Sequence, residues 1–506
     1  MSGDTNQTSP DGEEIKRLTA IIEDLRTQLE QQLKANEELR EMLKKLQVQL
    51  DSLLVQKKKR STREYGKKTE KFNPRPALSK NTTLESDAKV RKPGIKHIVE
   101  NAENLPTERI SYQVEDEHRN CPSCDIETEF VKNVLSQQLE MVSSSLKVLQ
   151  HCQETRACPK CKTYIVTASK PVQPIPGSYA GPRLLAETIV SKFEDGLPNY
   201  RQEKIFARQN VVIPRSTQSD WIQTTAATLT LLHELQIREL LKSKIIKTDD
   251  SSMKVQDRDH KNNIRKSKIT VYVGDDATRV TIFDYSPSLS FDKNKEFLDG
   301  FAGTIQADAA SGFNALFINS SRIEAGCNAH SRRKYFEAEF TDQEICGAVL
   351  EVYRRLYKVE SEIRSESPEF RLAMRRRKSK PLVKELRSIV ERARDTLNPT
   401  HEVMKAVKYT LNHWRALTRF LKNPDIAIDN NEAERAIKRW VLVRKNSLFA
   451  GSDDGAKAAA LHLSFISTCK RNGINPVDWY ADVLAKINSL KTSQLQQLLP
   501  QKWTKP

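Results

Sequence analysis

The chain has 506 residues, enough for three or four folded units of about 100–200 residues each. Lysine and arginine number 83 against 66 aspartates and glutamates, so the formal net charge of +17 favours a phosphate polyanion as partner. No apolar run approaches the roughly 18 residues needed to cross a bilayer, which excludes a membrane-spanning protein. The first residues lack the pattern of a secretory signal, so we expect a reducing, cytoplasmic compartment and eight cysteines that bind metal or remain buried thiols.

Residues 13–54 are predicted to form a coiled coil. Apolar residues recur there with alternating spacings of three and four, at Ile15, Leu18, Ile22, Leu25, Leu29, Leu39, Leu43, Leu46, Leu50 and Leu53. With Ile15 at heptad position a, Asn36 also falls at an a position, where a buried asparagine favours a two-stranded parallel arrangement. We therefore expect a homodimer or higher oligomer; the alternative is an amphipathic helix packed on its own chain.

A basic linker is predicted over residues 55–95. Eight lysines and arginines lie between residues 57 and 71, and three prolines follow by residue 93. Such a run either contacts phosphate or is simply a solvated connection.

Two Cys-x-x-Cys pairs lie in the region 96–172. The four cysteines are Cys121, Cys124, Cys158 and Cys161. Two residues between thiols let both sulfurs reach one Zn²⁺ at about 2.3 Å, and two such pairs complete a tetrahedron. The spacing predicts a structural zinc site, with His151 and Cys152 as competing ligands.

The region 173–243 is helical in pattern and predicts a helix-turn-helix. The first helix is placed at about Arg201 to Arg208, the turn follows, and Ser216 is expected to cap the second helix. Such a second helix presents its first residues to base edges, while nearby arginines reach phosphates. The candidate DNA-binding residues are Arg201, Arg208, Arg215, Thr217 and Gln218. An ordinary helical pair with Trp221 in its core is the alternative.

The pattern changes at residue 244 to three antiparallel strands, followed by alternating helices and strands. Gly274-Asp275 is predicted to form the second hairpin turn, and a short helix is predicted at about Lys295 to Phe301. This order matches a ribonuclease H-like sheet, which we assign to residues 244–455. Charged, helix-patterned residues at about 342–421 predict a helical insertion, and residues 456–506 a C-terminal helical region.

Three acidic positions stand out in this region. Asp249, with Asp250 beside it, ends the first strand, Asp308 ends the fourth, and Glu434 lies in the first turn of a later helix. Three carboxylates on one sheet can hold two Mg²⁺ or Mn²⁺ ions, which activate an attacking oxygen and stabilise the departing oxygen of a phosphodiester. Taken singly, each acid is also compatible with a turn, a helix cap or a surface ion pair.

These patterns together resemble the DDE transposases of bacterial insertion sequence 66. The resemblance is carried by LPNYRQEKIFARQ with RSTQSDW, by CNAHSRRKYF and by IDNNEAERAIKRWVLVRKNSLFAGS. It implies that Asp249, Asp308 and Glu434 are the catalytic metal ligands, and so selects Asp249 over Asp250. The chain has DDSSM, Asp308-Ala-Ala and Cys327-Asn-Ala-His where the family usually shows Asp-Glu-Thr-Pro-Val, Asp-Gly-Tyr and Cys-Trp-Ala-His.

The resemblance also implies binding of double-stranded DNA, both the terminal inverted repeats and the target, in the bacterial cytoplasm at the nucleoid. Further DNA contacts are expected from His330, Arg332, Arg333, Arg444, Lys445 and Asn446. Accessory proteins of the same element are potential partners. The rival functions are a catalytically inactive or domesticated sequence-specific DNA-binding protein, and a nuclease without strand transfer.

Overall fold

A computed structural model describes residues 17–43, 146, 155–157, 165–167, 172–308, 316–317 and 321–505. The chain divides into two units, residues 1–66 with 151–506 and residues 67–150. All of the described residues except Leu146 belong to the first unit. The predicted basic linker and the four proposed zinc ligands lie outside the described residues, as do most residues of the short helix expected between Asp308 and the fifth strand.

The N-terminal helix α1 covers residues 17–43, within the predicted coiled coil. Every residue of α1 is exposed, and Leu18, Ile22, Leu25, Leu29 and Leu39 are 53–59% exposed. The apolar stripe is therefore uncovered in a single copy of the chain. Farther along, strands β1 (Thr155–Ala157) and β2 (Ile165–Thr167) form an antiparallel ribbon that flanks the second Cys-x-x-Cys pair.

Four helices precede the main sheet: α2 (Pro182–Phe193), α3 (Asn199–Ala207), α4 (Arg215–Thr228) and α5 (Thr230–Leu240). The predicted cap at Ser216 is wrong, because α4 begins at Arg215 and Pro214 occupies the N-cap position. The proline ring fixes φ near the observed −57° and has no N–H to satisfy, so it starts the helix without a side-chain cap. Trp221 is buried between the helices, as the helical-pair alternative expected.

The five-stranded sheet confirms the predicted mixed α/β pattern. Its strands are β3 (Ile245–Gln256), β4 (Ile264–Val273), β5 (Thr281–Ser286), β6 (Thr304–Gln306) and β7 (Ile323–Ala325). They lie in the order β5-β4-β3-β6-β7, with the first three antiparallel and with β6 and β7 parallel to β3. The two antiparallel connections among β3, β4 and β5 and the crossovers before β6 and β7 produce this arrangement, in which most of β4 and β5 is buried.

Two local predictions on the sheet need correction. The Gly274-Asp275 turn is the start of a longer loop, residues 274–280, closed by a hydrogen bond from the Gly274 N–H to the Val280 carbonyl at 2.9 Å. The Asp275 carboxylate accepts from the N–H groups of Ala277 and Thr278, which stabilises the wider loop. Helix α6 runs from Asp292 to Phe297, three residues before the predicted start.

Seven helices follow the sheet: α7 (Asn328–Ala338), α8 (Gln343–Glu362), α9 (Pro368–Met374), α10 (Lys380–Thr396), α11 (Val403–Asn412), α12 (Trp414–Leu417) and α13 (Asn431–Ser447). A π-helical turn, Arg375–Ser379, joins α9 to α10. Helices α8, α10 and α11 pack around their own apolar core, which includes Val349, Leu386 and Val407. Residues 343–421 are thus largely helical, in agreement with the predicted pattern.

The last helices are α14 (Asp453–Arg471) and α15 (Pro476–Lys486). Helix α14 packs on β5 and on α2 and α4, and α15 packs on α2. Ser464 and Thr468 of α14 accept hydrogen bonds of 2.8 and 3.0 Å from the N–H groups of Phe283 and Thr281 on β5. Helix α14 thereby covers the edge strand β5. The helix also crosses the domain boundary predicted at residue 455. No helix in the described ranges is long and apolar enough to span a membrane.

Candidate active site

Asp249 and Asp308 lie on neighbouring parallel strands. The register pairs Lys247 of β3 with Gln306 of β6, and each aspartate follows its member of this pair by two residues. Because the two strands are parallel and in this register, the two aspartates reach the same level of the sheet. The prediction that Asp249 ends its strand is wrong, because β3 continues to Gln256 in its pairing with β4.

Helix α13 brings Glu434 to this edge. Asn430 precedes the helix, and its side-chain N–H donates to the Thr248 carbonyl on β3 at 2.8 Å. The Glu434 N–H donates to the Asn430 carbonyl at 3.2 Å, so the glutamate lies in the first turn. A contact between residues 182 positions apart thus places Glu434 beside Asp249.

The charges of the other acids act on Asp249. Burial, together with the charges of Asp308, Glu434 and Asp250, raises the pKa of Asp249 to about 7. A hydrogen bond of 2.8 Å from the Asp250 N–H to Asp249 opposes this rise. Such a set of carboxylates strongly favours a cation among them.

Asp249 and Asp250 have different surroundings, since successive residues of a strand point to opposite faces. Burial raises the pKa of Asp250, whereas the nearby Lys268 ammonium lowers it. Lys268 is buried and donates to Asn294 at 2.7 Å. Asp250 therefore has a cation of its own chain, and Asp249 is the better candidate metal ligand of the two.

The two glutamates at the start of α13 are distinguished in a similar way. Glu432 accepts hydrogen bonds from Lys247 at 2.6 Å and from Arg471 at 2.8 Å. Burial disfavours the charged form of Glu432, but Lys247 and Arg471 outweigh burial and lower its pKa. Glu432 is thus a structural ion-pair partner, while Glu434 faces the other acids.

Glu434 also contacts the start of α7. Its Oε1 lies 3.6 Å from Nδ1 of His330 and 4.0 Å from Sγ of Cys327. These three potential ligand atoms lie within 4.8 Å of one another. Burial raises the pKa of Cys327 to about 12, so the thiol stays protonated; its sulfur accepts from the Asn430 N–H at 3.2 Å. Sequence reasoning placed His330 near the site and missed Cys327, although the Cys-x-x-His spacing on one helix turn was a usable signal.

Tyr409 is a second residue that the sequence did not reveal. Its hydroxyl donates to the main-chain carbonyl of Asp308 at 2.5 Å. Tyr409 lies on α11, so the helical insertion contacts the segment that carries the second acid. No local pattern connects these residues, which are 101 positions apart.

The predicted DNA-binding residues on α3 and α4 fall into two groups. Arg201, Arg208 and Arg215 are exposed, and Thr217 is half-buried at the start of α4. Gln218 is fully buried, and its side-chain N–H donates to the Ile213 carbonyl at 2.9 Å. The expectation that Gln218 faces bases is therefore wrong, because its amide stabilises the turn between the helices.

The remaining candidates lie on α7 and α13, the helices that carry His330 and Glu434. His330 and Arg332 are half-buried, whereas Arg333 and Lys445 are exposed. Arg444 donates to the main-chain carbonyl of Ser252 on β3 at 2.5 Å, while Asn446 is half-buried near Gly196. Arg444 thus links α13 to the strand that carries Asp249.

Comparison with known proteins resolves the family. The model of the family described as "Transposase IS66 family" matches residues 177–458, more than half of the chain. The chain belongs to the IS66 transposase family. The model of the IS66 C-terminal element matches residues 464–501, so the IS66 match extends over α14 and α15. The resemblance inferred from the sequence motifs is confirmed.

Relatives among curated proteins come from Sinorhizobium fredii (strain NBRC 101917 / NGR234). The chain is 31% identical to the uncharacterized protein y4hP over 392 residues, which cover 73% of this chain and 70% of y4hP. It is 30% identical to the uncharacterized protein y4jD over 405 residues, 77% of this chain and 79% of y4jD. Both alignments thus extend over most of this chain.

Proposed function

We propose that this IS66 transposase binds the terminal inverted repeats of its element and catalyses metal-dependent DNA strand cleavage and transfer. The observation that carries the proposal is the convergence of Asp249, Asp308 and Glu434 from β3, the end of β6 and the first turn of α13. The strand order β5-β4-β3-β6-β7 supports a ribonuclease H-like core for this site.

The donor set fits hard divalent cations. Three carboxylates, of which Asp308 and Glu434 raise the pKa of Asp249 by their charges, supply the oxygen ligands that Mg²⁺ and Mn²⁺ prefer. When bound, two such ions would activate a water or a 3′-hydroxyl and stabilise the leaving oxygen of the phosphodiester.

The chain's own residues position this chemistry. Asp249 and Asp308 are held at one sheet edge, and Asn430 fixes α13 against β3 so that Glu434 faces them. Nδ1 of His330 lies 3.6 Å from Glu434 and has no hydrogen-bond partner within the described residues, so His330 would approach the scissile phosphate beside that carboxylate.

DNA binding is assigned to the exposed cations outside the acid cluster. Arg201, Arg208 and Arg215 border α3 and α4 and would contact the backbone of the element end, with Thr217 toward the bases. Arg332, Arg333 and Lys445 lie on the helices that carry His330 and Glu434, and would hold DNA near the acids.

Assembly and zinc binding complete the proposal. The uncovered apolar stripe of α1 supports a homodimer or higher oligomer through a coiled coil. The four cysteines, whose structure is outside the described residues, would bind one structural Zn²⁺ per chain. Accessory proteins of the same element remain candidate partners.

The test incubates the purified full-length protein and Mg²⁺ with duplex DNA that carries the element's end. The transposase proposal predicts strand cleavage and joined products. Cleavage without joined products would indicate a nuclease. Specific binding without cleavage would favour the inactive or domesticated DNA-binding protein. The absence of both binding and cleavage would contradict the proposal.

A further inference from the structure

A cavity of about 160 Å³ lies between α2, α4, β3, α13 and the segment that joins α13 to α14. The connecting segment is fixed against β3: the Ala450 N–H donates to the Lys254 carbonyl at 2.9 Å, and the Gln256 N–H donates to the Ala450 carbonyl at 2.8 Å. We call it the α2–α13 cavity. Its walls are formed by helices, a strand and this hydrogen-bonded connecting segment.

The charged residues that line the α2–α13 cavity are all cationic. They are Lys192, Lys254 and Arg444, and no aspartate or glutamate is among the lining residues. Within the described part of the chain, the Lys192 ammonium has no hydrogen-bond acceptor or carboxylate; its contact is the ring of Phe193, 5.4 Å away. Burial lowers the pKa of Lys192 to about 8, as expected for an ammonium removed from water without a counterion.

Trp440 supplies a second donor without a partner. Its side chain is 4% exposed and lines the cavity, and its indole N–H has no acceptor among the described residues. A buried N–H without an acceptor is costly, and an indole can only donate. The hydroxyls of Ser219 and Ser447 also line the space. Lys192 and Trp440 are thus two donors that line one cavity and have no acceptor within the described residues, and an oxyanion is a group that would accept from the indole N–H and compensate the charge of the ammonium.

The position of the cavity identifies the source of this anion. Ser219 belongs to α4, which begins at the exposed Arg215. Lys254 lies on β3, the strand that carries Asp249. We propose that the α2–α13 cavity binds one phosphate group of a DNA strand through Lys192 and Trp440. This inference rests on the proposed function in that the phosphate belongs to DNA. The phosphate would connect the helices that bind the element end to the catalytic strand.

The experiment measures binding of a labelled duplex carrying the element end to the full-length protein at several salt concentrations. Lys192→Met should bind about tenfold more weakly, and the slope of log affinity against log salt should become less negative by about 0.9. Trp440→Phe keeps the ring and loses the N–H, so it should weaken binding without changing the slope. Lys192→Arg should keep the wild-type slope.

The matched control is Lys405→Met on α11, which removes an exposed charge away from the lining residues. It should leave affinity and slope unchanged. Lys192→Met removes a half-buried charge that has no ion-pair partner within the described residues, so its unfolding temperature should not fall, and unfolding cannot account for weaker binding. Wild-type affinity and slope in Lys192→Met would overturn the inference.

A second arm uses inorganic phosphate as the probe and the unfolding temperature as the readout. Phosphate should raise the unfolding temperature of the wild type and not that of Lys192→Met. If this happens while DNA binding is unchanged in the variant, the cavity is a free-anion site and the DNA assignment is wrong. If the wild type binds no DNA, the proposed function fails instead. The phosphate measurement alone then decides whether the cavity binds an anion, and the absence of a Lys192-dependent shift in unfolding temperature would overturn the anion site.

Discussion

The side-chain N–H of Asn430 donates a hydrogen bond of 2.8 Å to the main-chain carbonyl of Thr248, the residue before Asp249. Through its main chain, Asn430 also donates to the Cys327 sulfur at 3.2 Å and accepts from the Glu434 N–H at 3.2 Å. One buried asparagine thus connects β3, the start of α7 and the first turn of α13. The relative position of two proposed metal ligands depends on it.

Asn430→Ala should therefore impair catalysis more than DNA binding. Loss of this buried hydrogen bond should lower the free energy of unfolding by about 1–2 kcal/mol, and the freed helix start should slow strand cleavage by about tenfold or more. Cleavage rates, end-DNA affinity and urea unfolding check this. Asn431→Ala, which removes a contact to Asp429 within the same loop, is the control and should have a smaller effect on cleavage. Cleavage by Asn430→Ala at the wild-type rate would show that the contact does not position Glu434.

Buried histidines predict a loss of stability in mild acid. Nε2 of His462 lies 3.0 Å from the Ile222 carbonyl and therefore carries the hydrogen, while Nδ1 accepts from the Tyr480 hydroxyl at 2.9 Å. Burial lowers the pKa of His462 to about 4, and burial with the nearby His462 does the same for His233.

The sign of the effect follows from these values. An unfolded histidine has a pKa of about 6.5, so between pH 6.5 and 4 the unfolded state binds more protons than the folded state. The stabilisation is complete above pH 6.5 and is lost as the pH falls toward 4, by up to about 1.4 kcal/mol per pH unit for each histidine. Urea midpoints measured by tryptophan fluorescence should fall over this range. His462→Gln should flatten the dependence and the exposed His260→Gln should not; equal slopes in all three proteins would refute this explanation.

The N-terminal helix gives a prediction about assembly. Deletion of residues up to Leu54 should weaken self-association, because the apolar stripe of α1 would no longer be available to a second copy. Asn36→Leu should make the oligomer more stable while loosening the choice of oligomeric state. Sedimentation velocity measures both effects. An unchanged mass after the deletion would place the main interface elsewhere, for instance on the helical insertion.

The two Cys-x-x-Cys pairs predict about one zinc ion per chain. Cys121→Ser or Cys158→Ser should release the metal and unfold the module around it, while the five-stranded sheet stays folded, because metal binding and folding are coupled in such sites. Metal analysis by mass spectrometry with circular dichroism checks both statements. Protein purified without chelators that contains no zinc would contradict them.

Much of the sheet could be predicted from the sequence because strand periodicity and hairpin spacing are local properties. Short strand-patterned segments separated by turn residues predict the three antiparallel strands that the structure contains as β3, β4 and β5. Helix starts were less predictable: α4 begins after Pro214, whereas Ser216 seemed the better cap. Gln218 looked available to DNA because it is polar, but its burial depends on the packing of α3 against α4.

The site itself was only partly predictable for a physical reason. Alternation along β3 does not say whether Asp249 or Asp250 faces the metal side, since that depends on Lys268 from the neighbouring strand. Similarly, Glu432 and Glu434 occupy the same helical turn, and ion pairs with residues far along the chain separate their roles. Such long-range contacts leave no local pattern, and only the family resemblance selected Asp249, Asp308 and Glu434 for testing.

The central claim is tested most directly by Mg²⁺-dependent cleavage of end DNA with single charge-removing variants. Asp249→Asn, Asp308→Asn and Glu434→Gln keep side-chain shape and lose the charge, so each should abolish cleavage while end binding stays the same or becomes slightly tighter. Asp250→Asn should be milder, and Glu432→Gln should lose stability but retain cleavage, because its carboxylate pairs with Lys247 and Arg471. Cleavage at the wild-type rate by any of the first three variants would contradict the assignment of that residue as a metal ligand.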